Sequence, residues 1–281
     1  MLTTRSGLQL LGPADLPTVQ GVLERDPVTN VFVDYRVRLT GLDPRWLGGE
    51  MWGYVEQGEL VSLCHAAANL VPVQATPAAL SAFSARAAAQ GRQCSSIVGP
   101  EDDVAELWHG VAARWGPARL IREAQPFMVL SAPPTVALDP EVRRVLPEEF
   151  DVLYPACVQM FTEEVGVSPE IGGGRELYQA RIRQLIAKGL AFARFEDGEV
   201  VFKAEVGAAT PRACQVQGVW VPPSRRGQGL STPGMAAVAK LAMEDIAPVV
   251  TLYVNAHNEA ARRCYERVGF TETCAFTTIL F

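Results

Sequence analysis

The chain has 281 residues, of which 48% are hydrophobic and 20% charged, enough for an ample core and for two domains. A formal net charge of -6 leaves no basic field and argues against nucleic acid as the main partner. The six cysteines contain no C-x-x-C pair, residues 1–10 lack the apolar core of a leader, and no segment approaches membrane-spanning length, so the expectation is a cytoplasmic protein with reduced thiols and no zinc framework, disulfide scaffold or membrane partner.

In chain order, Leu11-Gly-Pro-Ala-Asp-Leu-Pro introduces an amphipathic segment ending near Arg25. Residues 52–61 read as two strands joined at a Gln57-Gly58 turn. Val71-Pro-Val-Gln-Ala-Thr-Pro leads into an alanine-rich helix over about residues 77–90, with neither glycine nor a basic residue in the loop. A strand near residues 95–100, a helix-like run to Arg114 and apolar residues 127–130 close this half. Residues 131–140 are proline-rich and without periodicity, the natural linker.

The second half repeats the pattern. A strand is expected at 141–146 and a helix from Pro147 to about Glu164. A loop with three glycines follows at 165–174, and then a helix with Tyr178, Ile182, Leu185 and Ile186 on one face, stopped at Gly189. Strands at 190–195 and 200–206 meet at an Asp-Gly turn, and 213–221 is the central strand. A helix over about 230–246, a β-like run at 249–254, a last helix and a last strand complete the chain. The parallel suggests duplication, with a first domain at 1–130, a linker at 131–140 and a second domain at 141–281.

The central strand of the second half ends in Val219-Trp-Val-Pro-Pro-Ser-Arg-Arg-Gly227-Gln-Gly229-Leu230. Two glycines between a strand and a helix let the backbone approach a ligand, and the first amides of the helix point outward with the positive end of its dipole. Such a loop suits a phosphate or pyrophosphate. The first half has nothing comparable.

Taken with Asn255-Ala-His-Asn258-Glu-Ala-Ala-Arg-Arg-Cys264-Tyr265-Glu-Arg-Val-Gly-Phe270, this loop resembles the GNAT superfamily of acetyl-coenzyme A-dependent N-acetyltransferases. The resemblance covers roughly the second half. It implies an α/β (α+β) fold of tandem GNAT-like domains, each a mixed, mainly antiparallel sheet flanked by helices, the first one degenerate. The chain is also similar to acetyltransferases, mainly bacterial, that carry an N-terminal domain of unknown function of this length. The family loop usually opens with glutamine or arginine, whereas this chain has Ser224.

Carried over residue by residue, the resemblance implies acetyl-CoA as cofactor, its pyrophosphate held by the amides of Arg226, Gly227, Gln228, Gly229, Leu230 and Ser231. A backbone N–H at Val219 or Val221 would polarise the thioester carbonyl. Asn258 would cap the last helix and touch the cofactor, Asn255 would bond the pantetheine arm, and Tyr265 would protonate the departing thiolate. Glu205 is the first candidate for the general base, followed by Glu163 and Glu164. Trp220 is given no role, and His65, His109 and His257 are not read as metal ligands. The expected activity is acetyl transfer to an amine of a small molecule or protein, by direct attack in a ternary complex. Cys264 has no basic partner on its stripe, which disfavours an acyl-enzyme. Alternatives are a non-catalytic acyl-CoA sensor or a tandem transferase with a different acyl donor. No partner beyond the acceptor is implied, save a second copy in a homodimer.

Overall fold

The structure, a computed structural model, describes residues 6–281; residues 1–5 of the expected first domain lie outside the described residues. The chain divides into two compact units. The first holds residues up to Met128 with Tyr253–His257 and Glu272–Phe281, the second Val129–Leu252 and Asn258–Thr271.

The first unit runs β1 (Gly7–Leu11), α1 (Leu16–Leu23), α2 (Val31–Thr40), α3 (Pro44–Leu47), β2 (Glu50–Glu56), β3 (Glu59–Ala66), β4 (Asn69–Val73), α4 (Pro77–Gln90), β5 (Ser96–Pro100), α5 (Glu101–Trp115) and β6 (Leu120–Leu130). β2 and β3 meet at Gln57 (φ 50°) and Gly58 (φ 86°), the two left-handed residues that a tight hairpin needs to follow strand twist. Strand alternation then builds two cores. Met51 and Leu63 join Val19 and Val37 on one side of the sheet, while Trp52 and Cys64 join Phe83 and Leu107 on the other.

The second unit runs β7 (Arg143–Arg144), α6 (Phe150–Val165), α7 (Arg175–Ala187), β8 (Ala191–Glu196), β9 (Glu199–Ala209), β10 (Cys214–Trp220), α8 (Ser231–Asp245), β11 (Val250–Tyr253) and α9 (Glu259–Val268). The β8–β9 hairpin repeats the device of the first unit, with Asp197 at φ 48° and Gly198 at φ 79°. β9 pairs antiparallel with β10, and β10 pairs parallel with β11. Both units are mixed sheets with helices packed on them, as the resemblance implies.

The division differs from the sequence boundaries at two places. The last strand, β12 (Thr271–Leu280), pairs antiparallel with β5, from Phe276 opposite Pro100 to Leu280 opposite Ser96. Its apolar residues belong to the first unit's core: Ile279 lies in the cluster around Phe83, and Phe276 stacks on Phe127 at 4.6 Å. Residues 141–281 are therefore not one unit. The second place is 131–140, which carries no helix or strand but is anchored in the second unit. Buried Asp139 accepts from Arg194 Nη1 at 2.9 Å, and its amide donates to Pro233 O.

Candidate functional site

The strand leading into the glycine loop is bent by one residue type. β10 pairs with β9 at Gln217–Glu205 and again at Trp220–Lys203, so two residues, Gly218 and Val219, oppose one on the partner strand. This is a β-bulge, and Gly218 takes the left-handed conformation (φ 60°) that it needs. On its other edge β10 pairs with β11 only at Cys214–Val250 and Gln215–Thr251. Beyond Gln215 no ladder partner on that side is described, so the backbone of Gly218 and Val219 and the amide of Val221 can face a ligand there.

The loop then turns through Pro223–Arg225, and Gly227 (φ 77°) and Gly229 (φ 79°) carry it into α8. No hydrogen bond among the described residues uses the amides of Gly227, Gln228, Gly229 or Leu230. With Ser231 at the first position of α8, whose N-terminus has no side-chain cap, these donors form an anion cradle. Arg226 differs from the sequence expectation. Its amide closes a turn to Pro223 O at 3.4 Å, and its guanidinium donates to Val221 O and to Glu163 Oε2 at 2.7 Å. α8 sits close against β9 because of Gly234, where a Cβ would come within 2.9 Å of the Phe202 ring.

Glu163 is an ion-pair partner rather than a free base. It also accepts from Trp220 Nε1 at 3.2 Å, and the Arg226 hydrogen bond holds its carboxyl below the ordinary carboxylate range. Trp220, given no role from sequence, thus ties α6 to the loop. The only sequence signal for this was an indole N–H at a strand end with carboxylates elsewhere in the chain.

Glu205 is buried on β9 and faces α6, α7 and β10. Its Oε1 accepts from Gln217 Nε2 at 2.8 Å and has Arg181 Nη2 at 4.0 Å, while Oε2 faces Lys203 Nζ at 3.6 Å. Lys203 is 1% exposed, and its Nζ has no hydrogen-bond partner. Sequence reading named Glu205 and missed its buried ammonium neighbour. The signal available was a charged Lys-x-Glu pair inside an otherwise apolar strand.

Tyr265 lies on α9, 7% exposed, edge-on to Phe270. Burial pushes its phenol above the ordinary value of 10, so it stays protonated at neutral pH. Burial likewise raises the Cys264 thiol, which keeps it from being a thiolate nucleophile. Asn258 is the cap of α9, its side chain accepting from the Ala261 amide at 3.2 Å. Asn255 falls in the first unit, where its Oδ1 accepts from Gln125 Nε2 at 3.0 Å.

The equivalent place in the first unit makes a built-in comparison. The β3–β4 ladder runs from Leu63–Val73 to Ala66–Leu70 with no bulge. In the following loop Ser62 Oγ donates to Gln74 O and accepts from the Thr76 amide, and Thr76 Oγ1 caps the Ala79 amide. Pro77 removes one more donor. In the position along β3 that Glu205 occupies along β9 stands His65, buried, with neither ring nitrogen partnered. Among the described residues there is no cluster of three metal-ligating side chains, and no helix is long and apolar enough to cross a membrane.

Residues 159–270 match the model of the Acetyltransferase (GNAT) family, and residues 49–153 match a domain of unknown function, DUF4081. Among solved structures, a GCN5-related N-acetyltransferase from Sphaerobacter thermophilus is similar over 99% of this chain and 96% of its own, with 17% identity and a TM-score of 0.62. An acetyltransferase of the GNAT family from Colwellia psychrerythraea is similar over 98% and 99%, with 13% identity and a TM-score of 0.58. A tandem GNAT protein from the clavulanic acid biosynthesis pathway is similar over 98% of both chains, again with 13% identity and a TM-score of 0.58. No curated protein matches the chain.

Proposed function

We propose that the chain transfers an acetyl group from acetyl-CoA to an amine, a reading supported by the match of residues 159–270 to the Acetyltransferase (GNAT) family model. The observation that carries this reading is the run of unclaimed amides at Gly227–Leu230, set directly after the stretch of β10 that has lost its β11 partner.

Acetyl-CoA supplies the acetyl group as a thioester. The residues that fit it are the amides of Gly227, Gln228, Gly229, Leu230 and Ser231 for the pyrophosphate, with the freed backbone of β10 for the pantetheine arm. Asn258 orients the start of α9, the last helix of the same unit. An N–H of the bulged strand, at Val219 or Val221, donates to the carbonyl oxygen as negative charge develops there. The acceptor nitrogen forms its bond to the acetyl carbon as the carbon–sulfur bond breaks. The proton lost by the nitrogen goes to Glu205, and Tyr265 Oη gives a proton to the departing sulfur. With the Cys264 thiol kept protonated, attack in a ternary complex is favoured over an acyl-enzyme. The acceptor reaches this face from the loop between α6 and α7, whose Val167 and Ile171 are exposed.

The test is mass spectrometry of ligand retained by the purified protein, followed by acetyl-CoA turnover against a panel of small and peptide amines. Retained CoA and turnover that drops in Tyr265→Phe support the reading. Tight CoA binding with no amine ever modified would leave a sensor in its place.

A further inference from the structure

Lys203 is difficult to explain as a stabilising residue. Its ammonium is 1% exposed and donates no hydrogen bond, and the closest carboxylate oxygen is 3.6 Å away. A methionine of similar length would fill the same space without the cost of burying a charge. The charge faces two groups, the Glu205 carboxylate and the Cys157 thiol. Around Glu205, α6 offers the Cys157 thiol, raised to about 11 chiefly by burial, and α7 offers Tyr178, whose hydroxyl donates to Cys157 O, and Arg181 at 4.0 Å. β10 offers Gln217 on Oε1, and β9 itself offers Lys203 on Oε2. Lys203 is the only fully buried cation of this set.

Gly218 explains how the bulged strand lies against the pair. A Cβ there would lie 3.0 Å from Met160 Cε, 3.2 Å from Lys203 Nζ and 3.3 Å from Glu205 Cδ, so glycine lets the backbone of β10 approach both groups. Gln217 beside it is exposed and Gly218 half-buried. The ammonium itself is sealed, so any effect it has on an acceptor passes through the carboxylate.

Resting on the transferase reading above, we propose that Lys203 is a positioning residue. It holds the Glu205 carboxylate, oriented and charged, behind the Gly218 bulge to receive the proton that the acceptor nitrogen loses. The proton moves from nitrogen to Glu205 and no other bond of the protein changes. Lys203 keeps its own proton throughout.

The experiment uses the full chain with Lys203→Met, Lys203→Arg and Glu205→Gln, and reads two quantities. The first needs no substrate: infrared spectra of carbon-13 glutamate-labelled protein, differenced against E205Q, isolate the Glu205 carboxylate stretch. In K203M only the half-exposed Arg181 remains as a facing cation, and that band moves from its wild-type position. The second is steady-state kinetics. E205Q lowers kcat about a hundredfold or more. K203M lowers it about tenfold to a hundredfold, as loss of a supporting partner does at other reactive groups. The KM for acetyl-CoA and the Kd for CoA stay within about twofold, and K203R recovers part of the loss. If K203M does not fold, Lys203→Gln takes its place in both measurements. An unmoved carboxylate band, or a kcat in K203M equal to wild type, overturns the proposal, as does a parallel loss of CoA binding. A wild type that acetylates no amine would instead sink the transferase reading, and the carboxylate band would still decide for or against the pairing of Lys203 with Glu205.

Discussion

Gly229→Ala separates binding from folding in the glycine loop. Gly227 and Gly229 stand at φ 77° and 79°, and a Cβ at either meets nothing within 4 Å. Their lack of a side chain therefore serves backbone conformation and not packing. Alanine in the left-handed region costs about 1–2 kcal/mol. In the free protein the exposed loop relaxes and avoids most of that cost, so the Tm barely moves. A bound pyrophosphate demands the original conformation, and the strain reappears in affinity. At 1.4 kcal/mol per factor of ten, the CoA Kd rises about 5-fold to 30-fold. Calorimetric titration with CoA, run beside thermal unfolding, reads both quantities. A Kd within about twofold of wild type would refute the amide cradle. A large fall in Tm with little change in Kd would instead make the glycine a structural hinge.

Gly234→Ala has the opposite signature, because a Cβ there would press on the Phe202 ring at 2.9 Å. Overpacking of that kind costs about 1–3 kcal/mol, or roughly 2–4 °C of Tm per kcal/mol, and thermal unfolding should show it. Tyr265→Phe keeps the buried ring and removes the donor, so kcat falls about a hundredfold while CoA affinity holds, as stopped turnover assays would record. For His65, burial holds the folded imidazole at about 4 against an ordinary 6.5. The unfolded chain takes up its proton first, so stability is full above about 6.5 and is lost as pH falls through 4, by about 3 kcal/mol in all. Denaturant unfolding across that window tests this, and His65→Leu should flatten the profile.

Much of the fold was legible because its signals are local. The Gln57-Gly58 and Asp197-Gly198 turns are residue types that tolerate the left-handed region, and they fix both hairpins in register. α4 runs over the expected 77–90, bounded by the Thr76 cap and by Gly91. The strand expected at 141–146 shrinks to Arg143–Arg144, since Pro147 turns the chain immediately after it. α2 was not foreseen: Asp34, Arg36 and Arg38 interrupt its apolar residues, and its helicity comes from packing of Val33 and Val37 in the core. The assignment of β12 to the first unit was equally invisible, because strand pairing across the chain leaves no local mark. In the site, the loop glycines could be read directly. The engagement of Arg226 with Glu163 and the burial of Lys203 could not, because both depend on which residues the helices and strands bring together.

The two units share the hairpin, the strand–helix–strand order and the parallel pair that follows, so topology alone cannot make one a binding site and the other not. What separates them is where backbone polar groups find partners. In the first unit Ser62 takes the Thr76 amide, Thr76 takes the Ala79 amide, Pro77 has none to give, and the β3–β4 ladder runs without a bulge. In the second, Gly218 bulges the β9–β10 ladder, and four amides after Arg226 go unclaimed. Unpaired donors of this kind are costly unless water or a ligand takes them, and a helix N-terminus concentrates their positive end. Grafting Gly-Gln-Gly into the first unit's loop would therefore not create a site. The ladder beneath it has no bulge, and Ser62 would still hold the strand end closed.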